Sequence, residues 1–474
     1  MNFKTGPTTI REFLIITAFA LSIFFVRFDG FIINLAMPTF VKTFDITVSQ
    51  ASWVALSYIL AQVSAIMIFG NLCDRFDLKK IFLQGMAVFV AASLLCGVCR
   101  SFWFLIAFRC LQGLGGSMML VSAYAAIVYY LPHEKVGWGM GIMTTSAALG
   151  VILGPVVGGL IINDWDWHWL FLINVPLGIL AIIYSRYVIP DIKRPIKPLA
   201  GAGRVDYAGA AFSAAALFLL IYLLNTGREW GWTSWVIKGA AFFSTVFFVV
   251  FYFREKKRSN PLLDVRLFNN RSFTLTVLAG LIGFFLFFGG NFLLPFYLTR
   301  EGVSPKHIGL LLAVFSVVYI PIGLYAGSLS DRISPRKLVC WAMLLSAATG
   351  CVFALTTGSG GIWFAVLYLV MSAVSYGLFF SPINHLIMSF ASRENRGSVS
   401  AVYNTVMAVT MALGVVLLET IYSEFNVPGA GFSAAFCAGG LCCLAAAALL
   451  GWFVKDATPG NSRGAADQGA SDHG

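Results

Sequence analysis

Gly70-Asn-Leu-Cys-Asp74-Arg75-Phe-Asp77-Leu-Lys79-Lys80 returns 257 residues further along the chain as Gly327-Ser-Leu-Ser-Asp331-Arg332-Ile-Ser334-Pro-Arg336-Lys337. Both stretches read G-x-L-x-D-R-x-x-x followed by two basic residues. Each lies between long apolar runs, at the same place in its half of the chain, which marks an internal duplication. Glycine lets two helices approach closely. The carboxylate can pair with an arginine or cap a helix N-terminus, and the basic residues hold the loop at the cytoplasmic face of a membrane. Gly70, Asp74, Arg75 and Lys79 in the first copy, with Gly327, Asp331, Arg332 and Arg336 in the second, are the candidate gating-loop residues.

The rest of the chain fits that setting. Of 474 residues, 59% are hydrophobic and 11% charged, with a mean hydropathy of +0.83. A soluble domain carries about 25% charged residues. At about 20 apolar residues per membrane helix, this composition supplies roughly 14 helices. A soluble enzyme, a disordered chain and a single-anchor receptor are excluded. The apolar runs, cut at charges and at Pro/Gly clusters, predict spans at 11–38, 50–70, 81–99, 102–130, 137–163, 168–188, 206–225, 232–253, 272–298, 306–330, 338–356, 361–389, 397–420 and 431–454. The expected fold is an all-α polytopic membrane protein of 14 transmembrane helices.

An even number of spans puts both termini on one side. The net charge of +11 tests which side. Of the 32 Lys and Arg residues, Lys42, Arg100, Arg228, Lys238, Arg300 and Lys306 fall on the side away from the termini. Arg27 and Arg109 lie inside spans, and all others share the side of the termini. The positive-inside rule then makes that side cytoplasmic, and the excess charge faces anionic lipid rather than nucleic acid. No cleavable signal is expected, because the first span outlasts a signal core and carries internal charge. Basic, proline-containing connections at 186–204 and 254–271 isolate the seventh and eighth spans. The division expected is 6 + 2 + 6: a bundle at 1–190, two inserted linker helices at 191–271, a pseudo-symmetric second bundle at 272–455 and a disordered cytoplasmic tail at 456–474. Cys96-Gly-Val-Cys99 has redox-motif spacing but lacks the βα setting such a motif needs, and the five histidines form no ligand spacing, so no metal site is expected.

Further strings carry a family pattern. Span 4 has Arg109-x-x-Gln112-Gly113, and span 5 has Gly150-x-x-x-Gly154-Pro155-x-x-Gly158-Gly159. Span 1 carries Asp29…Asn34-x-Ala36-x-Pro38, and span 2 carries Trp53…Tyr58…Gln62. Trp167-x-Trp169-x-Phe171-x-Ile173-Asn174-x-Pro176 opens span 6, and Leu294-Pro295-x-Tyr297-Leu298…Gly302-x-Ser304-Pro305…Gly309 joins spans 9 and 10. In this order, and with the duplicated loop, the sequence resembles the major facilitator superfamily, specifically its 14-helix drug:proton antiporter branch of multidrug exporters. The chain differs from that pattern at Asp77 and Ser334, where glycine is usual, at Gly30-Phe31, at His168, and in the additional Arg27. The resemblance implies a proton-coupled antiporter that exports amphipathic small molecules by alternating access in a bacterial inner membrane. It implies no cofactor beyond the proton gradient. Some relatives in two-membrane bacteria recruit a periplasmic adaptor; otherwise a monomer in the bilayer is expected.

Physical reading of the same residues gives candidates for each role. Gly150, Gly154 and Gly158 recur every fourth residue and form a groove for another backbone, while Pro155 bends the helix. The resemblance implies that this antiporter helix, with Gly159, seals the two halves against leak. Ionisable residues inside spans are functional candidates because burying them in lipid is costly. Asp29 is the expected proton carrier, or instead a fixed ion-pair partner of Arg27 or Arg109. Arg27 and Asp29 are two apart and do not face each other, so Arg109 is the better cross-helix partner, and the resemblance gives Arg109 a part in proton coupling. Glu419, near the end of span 13, is the third candidate, for coupling, gating or ordinary helix-end solvation. A cavity expected at the midplane between the halves has Arg27, Asn34, Tyr58, Gln62, Gln112, Asn291, Tyr297, Tyr376, Asn384, Tyr403 and Asn404 as its polar candidates.

Competing functions remain at this level. The cargo is either a range of amphipathic compounds or one metabolite or lipid. A membrane-embedded enzyme or a non-transporting receptor would use the same fold, although no catalytic cluster of His, Asp and Ser is evident. An ATP-driven pump is excluded, since the chain contains no Gly-Lys pair and so no phosphate-binding loop.

Overall fold

Inside lipid an apolar segment must satisfy its own backbone, and only a helix does so within one segment. The computed structural model describes residues 10–73, 77–132, 135–191, 207–258, 265–330, 332–357, 361–390, 396–425 and 427–453; for Gly70 and Asn404, among others, it describes the backbone alone. Fourteen helical spans result: α1 (Ile10–Phe44), α2 (Val48–Cys73), α3 (Leu78–Val98), α4 (Phe102–Tyr130), α5 (Val136–Asp164), α6 (Trp169–Val188), α7 (Tyr207–Trp230), α8 (Trp235–Lys257), α9 (Arg271–Arg300), α10 (Pro305–Leu329), α11 (Pro335–Thr356), α12 (Ile362–Met388), α13 (Arg396–Ser423) and α14 (Pro428–Phe453). Among the described residues no strand occurs, and twelve of these spans are long and apolar enough to cross a membrane.

Local chemistry sets the helix starts. Asp77 caps α3 by accepting from the Lys79 N–H at 3.0 Å, and Asn270 caps α9 through the Ser272 and Phe273 N–H groups at 3.0 and 3.2 Å. Pro305 and Pro335 occupy first-turn positions, where the missing N–H is not needed. Three spans depart from the uniform helices expected. α1 runs six residues past its expected end and tightens into a 3₁₀ turn over Ile33–Ala36. Pro38 explains the turn, because it cannot donate to the Asn34 carbonyl one turn back and its ring would strike it. α6 and α9 are interrupted at Ile173 and Phe284.

The packing repeats with a shift of eight helices. α1 packs on α5, α3 on α4, α2 on α4 and α3 on α6; correspondingly α9 packs on α13, α11 on α12, α10 on α12 and α11 on α14. The two six-helix sets meet along two seams, α5 with α10 and α2 with α13, which exchange under the same shift. The helices α7 and α8 pair with each other, and α7 lies against both α2 and α13. Trp103, Trp165, Trp169, Trp230, Trp232, Trp235 and Trp363 are all exposed. Each sits at a helix end on the face opposite the chain termini, an aromatic belt of the kind found at a membrane–water boundary.

Candidate functional site

Asp29 lies midway along α1, and its side chain is 1% exposed. Arg109 and Gln112 of α4, three residues apart, share one helix face and both reach it. Arg109 Nη1 donates to Asp29 Oδ2 at 2.6 Å, and Gln112 Nε2 donates to Oδ1 at 2.9 Å. A third donor arrives from α6, where Asn174, immediately after the break at Ile173, gives its Nδ2–H to Oδ1 at 3.0 Å. Ser93 of α3 accepts from both amides at 3.2 Å, and Arg109 Nε donates to the Val54 carbonyl of α2 at 3.0 Å. Five helices of the first half therefore converge on one carboxylate–guanidinium pair. A buried pair stands only with such supporting bonds, since each ion alone loses several kcal/mol of solvation.

Arg27, two positions earlier, is rotated about 200° around α1 and faces the second half. It lines a cavity between the halves together with Asn34, Tyr58, Gln62, Arg109 and Asn291; the apolar lining comes from Phe31, Phe287, Phe288 and Met411. Gln62 Nε2 donates to the Tyr58 hydroxyl at 3.3 Å. The Tyr58 ring lies 4.3 Å from the Arg109 guanidinium carbon, so one aromatic side chain links the cavity to the buried pair. The cavity holds about 40 Å³, room for about one water.

At the face opposite the termini, the cavity is closed by backbone contact. A Cβ on Gly159 of α5 would stand 2.6 Å from the Pro305 carbonyl of α10, and one on Gly309 would strike the Pro155 carbonyl. Toward the other face the same helices diverge: Gly141 has nothing within 4 Å, and Thr144, Thr145, Leu324 and Tyr325 are exposed. The expected role of the glycine repeat needs correction here. Gly150, Gly154 and Gly158 pack on Phe24, Phe28 and Ile32 of α1, inside the first half. Gly159 and Pro155 are the residues that meet the second half.

The second seam carries polar contacts. Asn225 of α7 donates from Nδ2 to Ser52 Oγ at 2.9 Å and to Glu419 Oε2 at 3.5 Å. Ser49 Oγ donates to the Asn225 carbonyl at 2.7 Å. Glu419 is fully buried, which corrects the helix-end solvation reading: α7 covers it. Gln112 belongs to the buried pair rather than the cavity wall. Tyr297 lies in the second half's core, its ring 5.2 Å from Phe353 and 5.5 Å from Phe432, and Tyr376 packs behind Phe287 with its hydroxyl directed to the Gly283 carbonyl at 3.4 Å. Tyr403 is buried and Asn384 half-buried, and neither lines the cavity. Asp74, Arg75 and Asp331 lie outside the described residues, as does the Asn404 side chain. Ser93 and the ligating role of Asn174 were not anticipated; Asn174 stood in a recognised string, whereas nothing distinguished Ser93 from other small helix residues.

With this geometry in place, three comparisons bear on the family. A model of the Major Facilitator Superfamily (MFS) matches residues 19–415 and again 276–471. The chain belongs to the Major Facilitator Superfamily. Similar MFS relatives include the methylenomycin A resistance protein of Bacillus subtilis (30% identical, covering 91% of this chain and 91% of the relative) and the riboflavin transporter RibZ of Clostridioides difficile (26% identical, 87% and 89%). A crystal structure of a POT family transporter in complex with a thioalcohol-conjugated peptide superimposes with a TM-score of 0.71 at 13% identity, over 92% of this chain and 95% of that one. That likeness concerns the fold. As an MFS member the chain is a multi-pass membrane transporter.

The duplicated loops of this MFS protein make corresponding contacts by different chemistry. In the first copy, Lys79 Nζ pairs with Asp191, just past the end of α6, at 2.9 Å. In the second, Arg336, the counterpart of Lys79, donates from Nε to the Leu450 carbonyl at 3.0 Å and from Nη2 to the Gly451 carbonyl, in the last turn of α14. Each basic residue thus grips the end of its own half's sixth helix, where a cation is favoured. The Lys79 hydrogen bond and charge hold the Asp191 carboxyl below the usual carboxylate range. Its contribution to stability is therefore present above the unfolded value of about 3.9 and is lost as pH falls through the lower folded value. Thermal unfolding in detergent should show a modest wild-type advantage over Lys79→Met at pH 6 that closes toward pH 3. An advantage that persists at pH 3 contradicts the assignment.

Proposed function

We propose that the chain is a proton-coupled antiporter of the 14-helix branch that exports amphipathic small molecules across a bacterial cytoplasmic membrane, with both termini cytoplasmic. The observation that carries this reading is the Asp29–Arg109 pair, buried in one half and linked through Tyr58 to a cavity between two halves. A transporter that couples two fluxes needs a protonation site whose state is felt at the cargo site. Here the carboxylate accepts from a guanidinium and two amides at once. A proton arriving on Asp29 Oδ2 takes the lone pair that Arg109 uses and releases the guanidinium from the carboxylate, leaving it held beneath the Tyr58 ring by the Val54 carbonyl and Gln112 Oε1. Deprotonation on the other side of the membrane restores the pair and re-sets the cavity wall. The positive-inside count places the closed α5–α10 end outward, so the cavity described here opens toward the cytoplasm, where cargo for export is loaded.

Relatives named for antibiotic resistance and for riboflavin transport support an amphipathic cargo. The riboflavin transporter also favours a second reading, export of one dedicated metabolite. Both halves come from one chain, so a single copy completes the cavity. Proteoliposomes with an imposed pH gradient test the proposal: cargo should move against the proton flow, and added cargo should release protons from detergent-solubilised protein. A cargo that binds and moves at equal rates with and without the gradient rejects proton coupling. A panel of unrelated amphiphiles separates the broad from the dedicated exporter.

A further inference from the structure

The second charge in α1 has no part in the coupling pair. Arg27 is half-buried in the cavity wall, and among the described residues it forms no ion pair and no hydrogen bond. Its neighbour in sequence cannot neutralise it, because both oxygens of Asp29 are engaged on the far side of the helix. Among the described residues no Asp or Glu contributes to the cavity wall. The next carboxylate, Glu419, lies one helical turn beyond the wall residue Val415 and is closed over by Asn225 of α7. A cation held in a largely apolar wall raises the energy of the empty site unless something of opposite charge visits it.

We propose that Arg27 is the anion-binding group of the transport cavity, and that the cargo is an amphipathic organic anion: a carboxylate, sulfonate or phosphate carried on an aromatic body. The guanidinium offers planar, paired donors suited to such a group. The hydroxyl of Tyr58 and the amides of Asn34, Gln62 and Asn291 are the neutral polar groups of the same wall, and Phe287 and Phe288 of the second half supply faces for the apolar body. A lipophilic cation would meet Arg27 without a compensating carboxylate and is disfavoured. Since Arg27 and the two phenylalanines belong to different halves, the cavity of about 40 Å³ widens to admit the anion, which is then held between the halves. This inference rests on the transport reading for its physiological meaning, but binding can be measured without transport.

The test uses a matched pair of probes that differ in charge alone, 2-naphthoate and 2-naphthylmethylammonium. Binding to the detergent-purified full chain is followed by calorimetry for wild type, Arg27→Gln and Arg27→Lys. The wild type should bind the naphthoate at least tenfold more tightly than the amine. Arg27→Gln should lose at least tenfold in naphthoate affinity, and Arg27→Lys, which keeps the charge and tolerates a folding defect in the first variant, should retain most of it. Equal or tighter binding of the amine to wild type, or unchanged naphthoate affinity in Arg27→Gln, overturns the proposal. In proteoliposomes the outcomes separate again: gradient-driven flux of the amine with none of the naphthoate rejects the anion assignment while keeping the exporter. Naphthoate binding that depends on Arg27, with naphthoate flux equal in the presence and absence of the gradient, keeps the anion site and rejects proton coupling.

Discussion

Asp29→Asn is expected to abolish gradient-driven cargo flux in proteoliposomes and to lower thermal stability in detergent. The two effects have different origins. Asparagine retains the shape of the carboxylate but leaves the Arg109 guanidinium buried beside a neutral oxygen, and breaking a buried pair from one side costs about 3–5 kcal/mol. Arg109→Gln leaves the mirror-image defect, a carboxylate held by Gln112 and Asn174 alone. The double variant carries no net buried charge and restores much of the lost thermal stability. It does not restore coupled flux, because no group at the site then changes charge when it takes up a proton. Stability recovered without coupling separates the two roles of the pair. Gradient-driven flux in Asp29→Asn at more than a tenth of the wild-type rate would show that the coupling proton binds elsewhere.

A comparably large effect is expected from Gly309→Leu. At this position α10 rests directly on the Pro155 carbonyl, and at the reciprocal contact a Cβ added to Gly159 would stand 2.6 Å from the Pro305 carbonyl. Backbone cannot rotate aside as a side chain can, so any larger residue must push α5 and α10 apart. Overpacking of this kind costs about 1–3 kcal/mol. The penalty falls on the state in which the helices touch, so it shifts the conformational equilibrium by about 5- to 150-fold. Labelling of Asn34→Cys by a membrane-impermeant maleimide, applied from the face opposite the termini, should rise sharply in Gly309→Leu. Gly150→Leu is the contrasting control. Its clash lies with Phe24 and Phe28 of α1, so it destabilises the first half without opening the seam. Equal labelling of the two variants would remove the seam from this account.

What the sequence disclosed follows from which forces are local. Helix number and approximate limits are legible because the requirement for about 20 apolar residues acts on each segment alone. The pairing of Asp29 with Arg109 is legible for a related reason: so few ionisable residues lie inside spans that they have few partners to choose from. The glycine repeat of α5 shows that some backbone approaches it, but the repeat is equally smooth against α1 and α10, and only the assembled bundle selects α1. Ser93 is invisible in sequence, because one hydroxyl among many small residues becomes a ligand only when α3, α4 and α6 converge. Glu419 looks like a helix-end residue until Asn225 of α7, 194 residues earlier in the chain, is laid over it. Tyr297 shares a helix with Asn291 but points to the opposite side, into Phe353 and Phe432. The interruption at Ile173 has Pro176 just beyond it, which cannot donate to the Leu172 carbonyl, whereas the one at Phe284 has no proline to announce it.

The inserted pair of helices has a consequence for traffic from the bilayer. The repeat by itself offers a lipid-dissolved solute two equivalent doorways, one along α5 and α10 and one along α2 and α13. α7 lies across the second, tied to α2 through Ser49 and Ser52 and to α13 through Thr420, whose hydroxyl donates to the Leu224 carbonyl at 3.1 Å. One doorway is thereby bolted and the other left bare. A solute that partitions into the membrane first must approach from a single flank, passing Arg27 on the α1 wall before it reaches the aromatic faces of α9.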